Sequence, residues 1–150
     1  MAKKDLVEKV ILGARQYGIS NVLFRNAVGE RLGLNVTDME CLGLLFHKEI
    51  ATPSELARHT GLTSGATTAM LDRLENSGLI ERRPNPSDRR GTLIVLLDSG
   101  KKKVGPWFAS ARQAQDELVS SYTESELNVL ADFFEKSTRM WEEERRKLQK

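Results

Sequence analysis

Between Thr52 and Gly78 two short helical segments are hinged on one glycine, Gly61, and each opens on a threonine able to cap it. The first begins Thr52-Pro53-Ser54-Glu55. In this box the threonine hydroxyl takes a free backbone N–H and the glutamate reaches back to the cap residue. Pro53 stands at the first helical position, where a missing N–H costs nothing. The second helix starts at Thr63, is predicted to carry Ala66, Met70, Leu71 and Leu74 inward, and stops at Asn76-Ser77-Gly78, a C-cap signal. Ala57, four residues before Gly61, is small enough for the two helices to approach, and glycine supplies the positive φ of the turn. Leu56, Leu62 and Met70 fill the wedge between them, so the segment reads as a helix-turn-helix. The period then changes: Leu79 to Arg83 is short, Pro84 to Gly91 is rich in turn formers, and Thr92 to Leu97 is apolar and β-branched. A hairpin follows the second helix directly and makes the motif a winged one.

Long helices flank this unit. From Asp5 to about Arg31 apolar residues such as Leu6, Val10, Ile19 and Leu23 recur at three- and four-residue steps, until Gly33 ends the run. They cover more than one stripe, which predicts packing against more than the helix's own small domain. A second box, Thr37-Asp38-Met39-Glu40, predicts a helix from Thr37 to about Lys48 that buries Met39, Leu42, Leu45 and Phe46. After the hairpin, Val104, Trp107, Phe108, Ala111, Leu118 and Tyr122 mark a helix. Pro106 predicts that it starts late or kinks there. A third box, Thr123-Glu124-Ser125-Glu126, starts the last helix, in which Leu127, Phe134, Trp141 and Leu148 fall seven apart, the spacing of a seam that meets a partner. The expected fold class is all-α with a small β wing, one domain over residues 1–150. A helix and hairpin unit of about 37–98 would be embedded between long helical arms, about 4–32 and 101–148.

Composition narrows the function. The 150 residues carry 23 Lys and Arg against 21 Asp and Glu, so any basic surface is local. The hairpin supplies one: Arg82, Arg83, Arg89 and Arg90 face only Glu81 and Asp88, a surplus equal to the +2 of the whole chain. A single cysteine, Cys41, excludes an intramolecular disulfide, and no stretch approaches the roughly 18 apolar residues of a membrane span. With no secretion signal in view, a cytoplasmic setting and no membrane partner are expected. His47 and His59 are the only histidines and sit on different helices, so no metal site and no cofactor are expected. The chain lacks a Gly-x-Gly-x-x-Gly, a Walker lysine loop and a Gly-x-Ser-x-Gly elbow, which argues against an enzyme.

Ser54-Glu55-Leu56-Ala57, Leu71-Asp72-Arg73-Leu74-Glu75, Gly78-Leu79-Ile80-Glu81-Arg82 and Asp88-Arg89-Arg90 together resemble the MarR (multiple antibiotic resistance regulator) family of winged helix-turn-helix transcription factors. The resemblance covers nearly the whole chain. It implies a homodimer built from the first and last two helices, bound to a pseudopalindromic operator in double-stranded DNA and usually repressing. It also implies an effector cleft for a small molecule where the dimer arms meet the DNA-binding unit, with Tyr17, Phe24, Phe46 and His47 on segments that border it. One departure concerns the recognition helix, which reads Ser64-Gly65-Ala66-Thr67-Thr68-Ala69 with no charge before Asp72. Base readout would then rest on hydroxyls, thymine methyl contacts and DNA shape.

Within that frame Ser64, Gly65 and Thr68 are the foremost recognition-helix contacts. Thr67 lies nearer the core side, and Arg73 either meets a phosphate or pairs with a carboxylate such as Asp72. Arg89 and Arg90 at the wing tip suit a narrow minor groove, and the resemblance casts Asp88 as the residue that holds Arg90 in position. Thr52 and Ser54, at a helix N-terminus, are phosphate-contact candidates, although capping alone explains them. The Lys101 to Lys103 run reads as a solvated face. Cys41 is a redox candidate by resemblance, because some members sense peroxides through a single cysteine; the plainer reading is a small buried hydrophobe. A protein-docking module or anti-regulator using the same fold is the alternative to a DNA-binding regulator.

Overall fold

The computed structural model describes residues 2–148. In chain order its elements are α1 (Lys3–Leu32), α2 (Val36–Lys48), β1 (Ile50–Ala51), α3 (Pro53–Thr60), α4 (Ser64–Asn76), β2 (Ile80–Asn85), β3 (Asp88–Leu96), α5 (Asp98–Ser120) and α6 (Glu124–Lys147). They fall into two compact units, one up to Trp107 and one from Phe108.

The first unit holds the core. Leu42, Leu45, Leu56, Met70, Leu74 and Ile94 are fully buried, so α2, α3, α4 and one face of the sheet share one apolar interior. The sheet is antiparallel in the order β1-β3-β2, with Ile50 opposite Val95 and Arg82 opposite Ile94. β1 is two residues long and escapes a pattern reading. The hairpin strands are longer than predicted: Pro84 and Asn85 belong to β2, Asp88 to Gly91 to β3, and only Pro86 and Ser87 remain as the turn. A register shift at Pro84/Asn85 accommodates the prolines, which cannot donate to a regular ladder.

Two helix starts differ from the expectation. The cap of α2 is Asn35, not Thr37: the Asn35 side chain accepts from the Asp38 N–H at 2.9 Å and the Asp38 carboxylate accepts from the Asn35 N–H at 3.1 Å. Thr37 donates its hydroxyl to the cap oxygen at 2.8 Å. Two boxes overlap here, and the one two residues upstream forms. α5 starts at Asp98 and runs through Pro106 as one helix, so it does not start late. Its first turn is fixed by tertiary contacts: Ser99 donates to the Gly78 carbonyl at 2.7 Å, Lys101 pairs with Glu49 at 2.6 Å, and any Cβ on Gly100 would overlap the Leu79 carbonyl. These contacts outweigh the one hydrogen bond that proline removes.

Apolar residues of α1 stay uncovered within the chain, Leu6, Val10, Ile11 and Leu23 among them, and only Val28 and Gly29 of that helix are buried. In the second unit none of the described residues is buried. Thr123 caps α6 with Glu126 as the box predicts. Along α6 Phe134 and Trp141 are 50% and 67% exposed, an unusual state for large apolar side chains at seam spacing.

Candidate nucleic-acid interface

α3 and α4 meet as the sequence predicts. Thr52 caps α3, its hydroxyl accepting from the Glu55 N–H at 3.2 Å while Glu55 accepts the Thr52 N–H at 2.8 Å. Gly61 ends the helix at φ 73°, its N–H donating to the Ala57 carbonyl. Leu56 and Met70 are sealed between the helices and Leu62 is half-buried. Thr63 caps α4 by accepting from the Ala66 N–H at 3.3 Å.

Along α4 the exposed face carries Ser64, Gly65, Ala66, Thr68 and Ala69. A Cβ on Gly65 would meet nothing within 4 Å, so no packing inside the protein requires glycine there. Ala66, predicted to point inward, is exposed; Thr67 takes the inward place. Thr67 is buried and its hydroxyl donates to the Thr63 carbonyl at 2.8 Å, which removes it from the surface offered to a partner. Arg73 takes the second of its two open readings, a carboxylate pair, but its partner is buried Asp38 of α2 at 2.8 Å and not Asp72. Both Asp38 oxygens are thereby committed, one to Arg73 and one to the Asn35 N–H.

The four hairpin arginines separate into two kinds. Arg83 pairs with Glu81 along its own strand, and Arg82 turns back onto α4, where it meets Asp72 at 2.6 Å and also Glu75. Among the described residues no carboxylate lies within ion-pair distance of Arg89 or Arg90. The basic surplus of the hairpin is therefore concentrated at its tip. Asp88 meets Arg90 at the backbone, its carboxylate accepting the Arg90 N–H at 3.0 Å. Asn85 does the same for the Ser87 N–H at 3.0 Å, so side chains hold the tip on both strands.

Other candidates do not converge on this surface. The Thr52 hydroxyl is spent on capping, and the Glu55 carboxylate beside it is held down to about 2, first by the Thr52 N–H and then by Lys48 and the Thr52 hydroxyl. A fixed anion at that helix end opposes a phosphate, although Ser54 is exposed. Lys101 is engaged with Glu49. Cys41 is completely buried, and its thiol is pushed up to about 12, by desolvation first and the Asp38 charge second. Such a thiol is not the accessible thiolate that peroxide attacks. Tyr17 and Phe24 lie on α1 and are exposed; Phe46 and His47 end α2, with Phe46 half-buried beside Gly105.

Two arginines whose role the sequence does not announce join the elements. Arg25 of α1 donates to the Met39 carbonyl at 3.1 Å and pairs with Glu40 at 3.2 Å. Arg82 joins β2 to α4. A signal for the second exists, since Asp72 and Glu75 are one helical turn apart and face the strand that follows.

A helix-turn-helix whose second helix exposes an uncharged first half, followed by a wing whose tip arginines have no carboxylate partner among the described residues, defines a winged helix-turn-helix nucleic-acid-binding protein. The MarR family model matches residues 34–92. An HTH-type transcriptional regulator of Bacillus subtilis, YcgE, is 34% identical over 98% of this chain and 96% of its own length. The multiple antibiotic resistance protein MarR of Escherichia coli is 49% identical over 49 residues, covering 33% of this chain and 34% of its own. A solved structure of a MarR cysteine-to-serine mutant from Escherichia coli, complexed with operator DNA, superposes with a TM-score of 0.59 at 24% identity, over 91% of this chain and 99% of that one. The chain belongs to the MarR family of helix-turn-helix transcriptional regulators, and it is a regulator, not an enzyme. Among the described residues no helix is long and apolar enough to cross a membrane.

Proposed function

We propose that the protein acts in the cytoplasm as a homodimeric repressor bound to a pseudopalindromic operator. The observation that carries this reading is the pairing pattern of the hairpin, in which Arg82 and Arg83 are engaged while the tip residues Arg89 and Arg90 are left for a partner. Each protomer places Ser64, Gly65 and Thr68 of α4 in a major groove and the wing tip in the adjacent minor groove, where the potential of a narrow groove favours arginine. The MarR mutant complexed with operator DNA supports the choice of partner. Homodimerisation is supported by the uncovered apolar residues of α1 and α6. A two-fold dimer then reads half-sites about one helical turn apart.

Repression, and its relief by a small-molecule effector near Tyr17, Phe24, Phe46 and His47, rest on family membership. An effector would act by favouring one spacing of the two recognition helices over another.

The test is a titration of the purified chain against the DNA flanking its own gene, over a salt series and with unrelated competitor. Specific binding at one dimer per site is expected, with affinity falling steeply as salt rises. Replacing Arg89 and Arg90 by Ala is expected to weaken it and to flatten the salt dependence by about 0.9 in log–log slope for each phosphate no longer neutralised. Absence of binding even at low salt would move the function to docking on another protein.

A further inference from the structure

The recognition helix is acidic in its second half, and one residue of the wing answers that charge. α4 carries Asp72 and Glu75 against its single Arg73, and Arg73 is turned away onto Asp38. Arg82 of β2 takes both carboxylates at once: one guanidinium nitrogen lies 2.6 Å from Asp72 and another is bonded to Glu75. The first of these nitrogens also reaches the Thr68 carbonyl at 3.5 Å, on the exposed face of the helix. Glu75 in turn accepts the Arg82 backbone N–H at 2.8 Å, satisfying a donor on an edge strand of the sheet. Wing and helix are thus joined by a fork in which one cation is shared by two anions, a geometry that lysine cannot reproduce.

We infer that Arg82 is a positioning residue for DNA binding. It neutralises the carboxylates that α4 carries beside its groove-facing surface and fixes the wing against the helix, so that both reach one duplex. The inference rests on the DNA-binding reading. Asp72 is exposed one turn beyond Thr68 on the same face, and a bare carboxylate there would repel a phosphate lying within a Debye length, about 8 Å, of that part of α4. Arg73, the cation α4 does carry, is spent on Asp38 and does not offset it.

The experiment uses the full chain and two labelled duplexes of equal length, one flanking its own gene and one unrelated, each titrated over a salt series. Arg82→Met is expected to weaken binding to both duplexes by about tenfold or more at low salt, as like charges are uncovered at the interface. The triple variant Arg82→Met/Asp72→Asn/Glu75→Gln is expected to recover most of that loss, with the salt slope of the unaltered chain. Glutamine in place of Glu75 gives up the charge and keeps an amide oxygen that still accepts the backbone N–H of position 82. A triple variant that stays weak, with a slope lower by about 0.9, would mean that Arg82 itself grips a phosphate, and would overturn the inference. So would an Arg82→Met variant that binds like the unaltered chain. Should circular dichroism show that Arg82→Met does not fold, Asp72→Asn alone decides: a severalfold gain on both duplexes supports the inference and no gain overturns it. Failure of the unaltered chain to bind either duplex is a different outcome, and removes the DNA-binding reading itself.

Discussion

Gly65 is the residue whose chemistry separates stability from function most cleanly. It sits in the first turn of α4 with open space where a side chain would be, so alanine there should be tolerated by the fold. Gly65→Ala is expected to raise unfolding free energy by about 0.5–1 kcal/mol, as glycine is the poorer helix former. In the same variant DNA affinity should fall, because a methyl group intrudes where a phosphate backbone approaches; thermal melts and a binding titration on one preparation check both. Glu55 gives a pH test. Its folded-state value is about 2, below the usual carboxylate range, so its contribution is complete above about pH 5 and is lost as pH falls toward 2. Between those limits Glu55→Gln should lose less of its melting temperature than the unaltered chain, and equal losses would assign the acid sensitivity to other carboxylates. Cys41 offers the converse: buried and protonated, it should resist thiol reagents in the native state and react only on unfolding.

The helices α2, α3 and α4 are set by their caps and by what they bury. Asn35→Ala is expected to cost about 1 kcal/mol, as is usual when a cap is removed, and Thr37→Ala less, because Thr37 only supports the cap oxygen. Denaturant unfolding ranks the two, and the reverse order would restore the Thr37 box. That pair also marks how far the sequence can be read. The caps at Thr52, Thr63 and Thr123 are legible because a cap is a contact over three residues with one pattern to match. At α2 two patterns overlap, and the Asp38 of the one that forms is bonded to Arg73, thirty-five positions away, a contact that local spacing does not reveal. The face of α4 is legible from helical spacing, Thr67 on the core side included, except at Ala66, which a small error in phase turns inward. Arg82 reads as one more charge of the basic hairpin because its partners lie on another element, and spacing within a strand says nothing of them.

In the molecule taken whole, apolar surface exceeds what one chain covers. Helical segments in which no described residue is buried, α6 and the part of α5 from Phe108 onward, do not hold themselves together in water, since a helix owes most of its stability to packing. Light scattering on a sizing column is expected to give twice the 16.9 kDa chain mass at micromolar concentration. Trp141→Ala should shift that equilibrium toward monomer, and a wild-type monomer would remove the half-site geometry. A different consequence follows from β1. By pairing Ile50 and Ala51 with Val95 and Ile94, two residues close a ring that contains the whole helix-turn-helix and most of the wing. Closing a loop of about 45 residues costs on the order of 3 kcal/mol in chain entropy, while the helices and the hairpin inside it form from near neighbours. The ring should therefore shut late on the folding pathway. In stopped-flow kinetics a truncation such as Ala51→Gly would then accelerate unfolding and leave refolding almost untouched, which makes this two-residue strand a latch on the lifetime of the native state and not on the speed of reaching it.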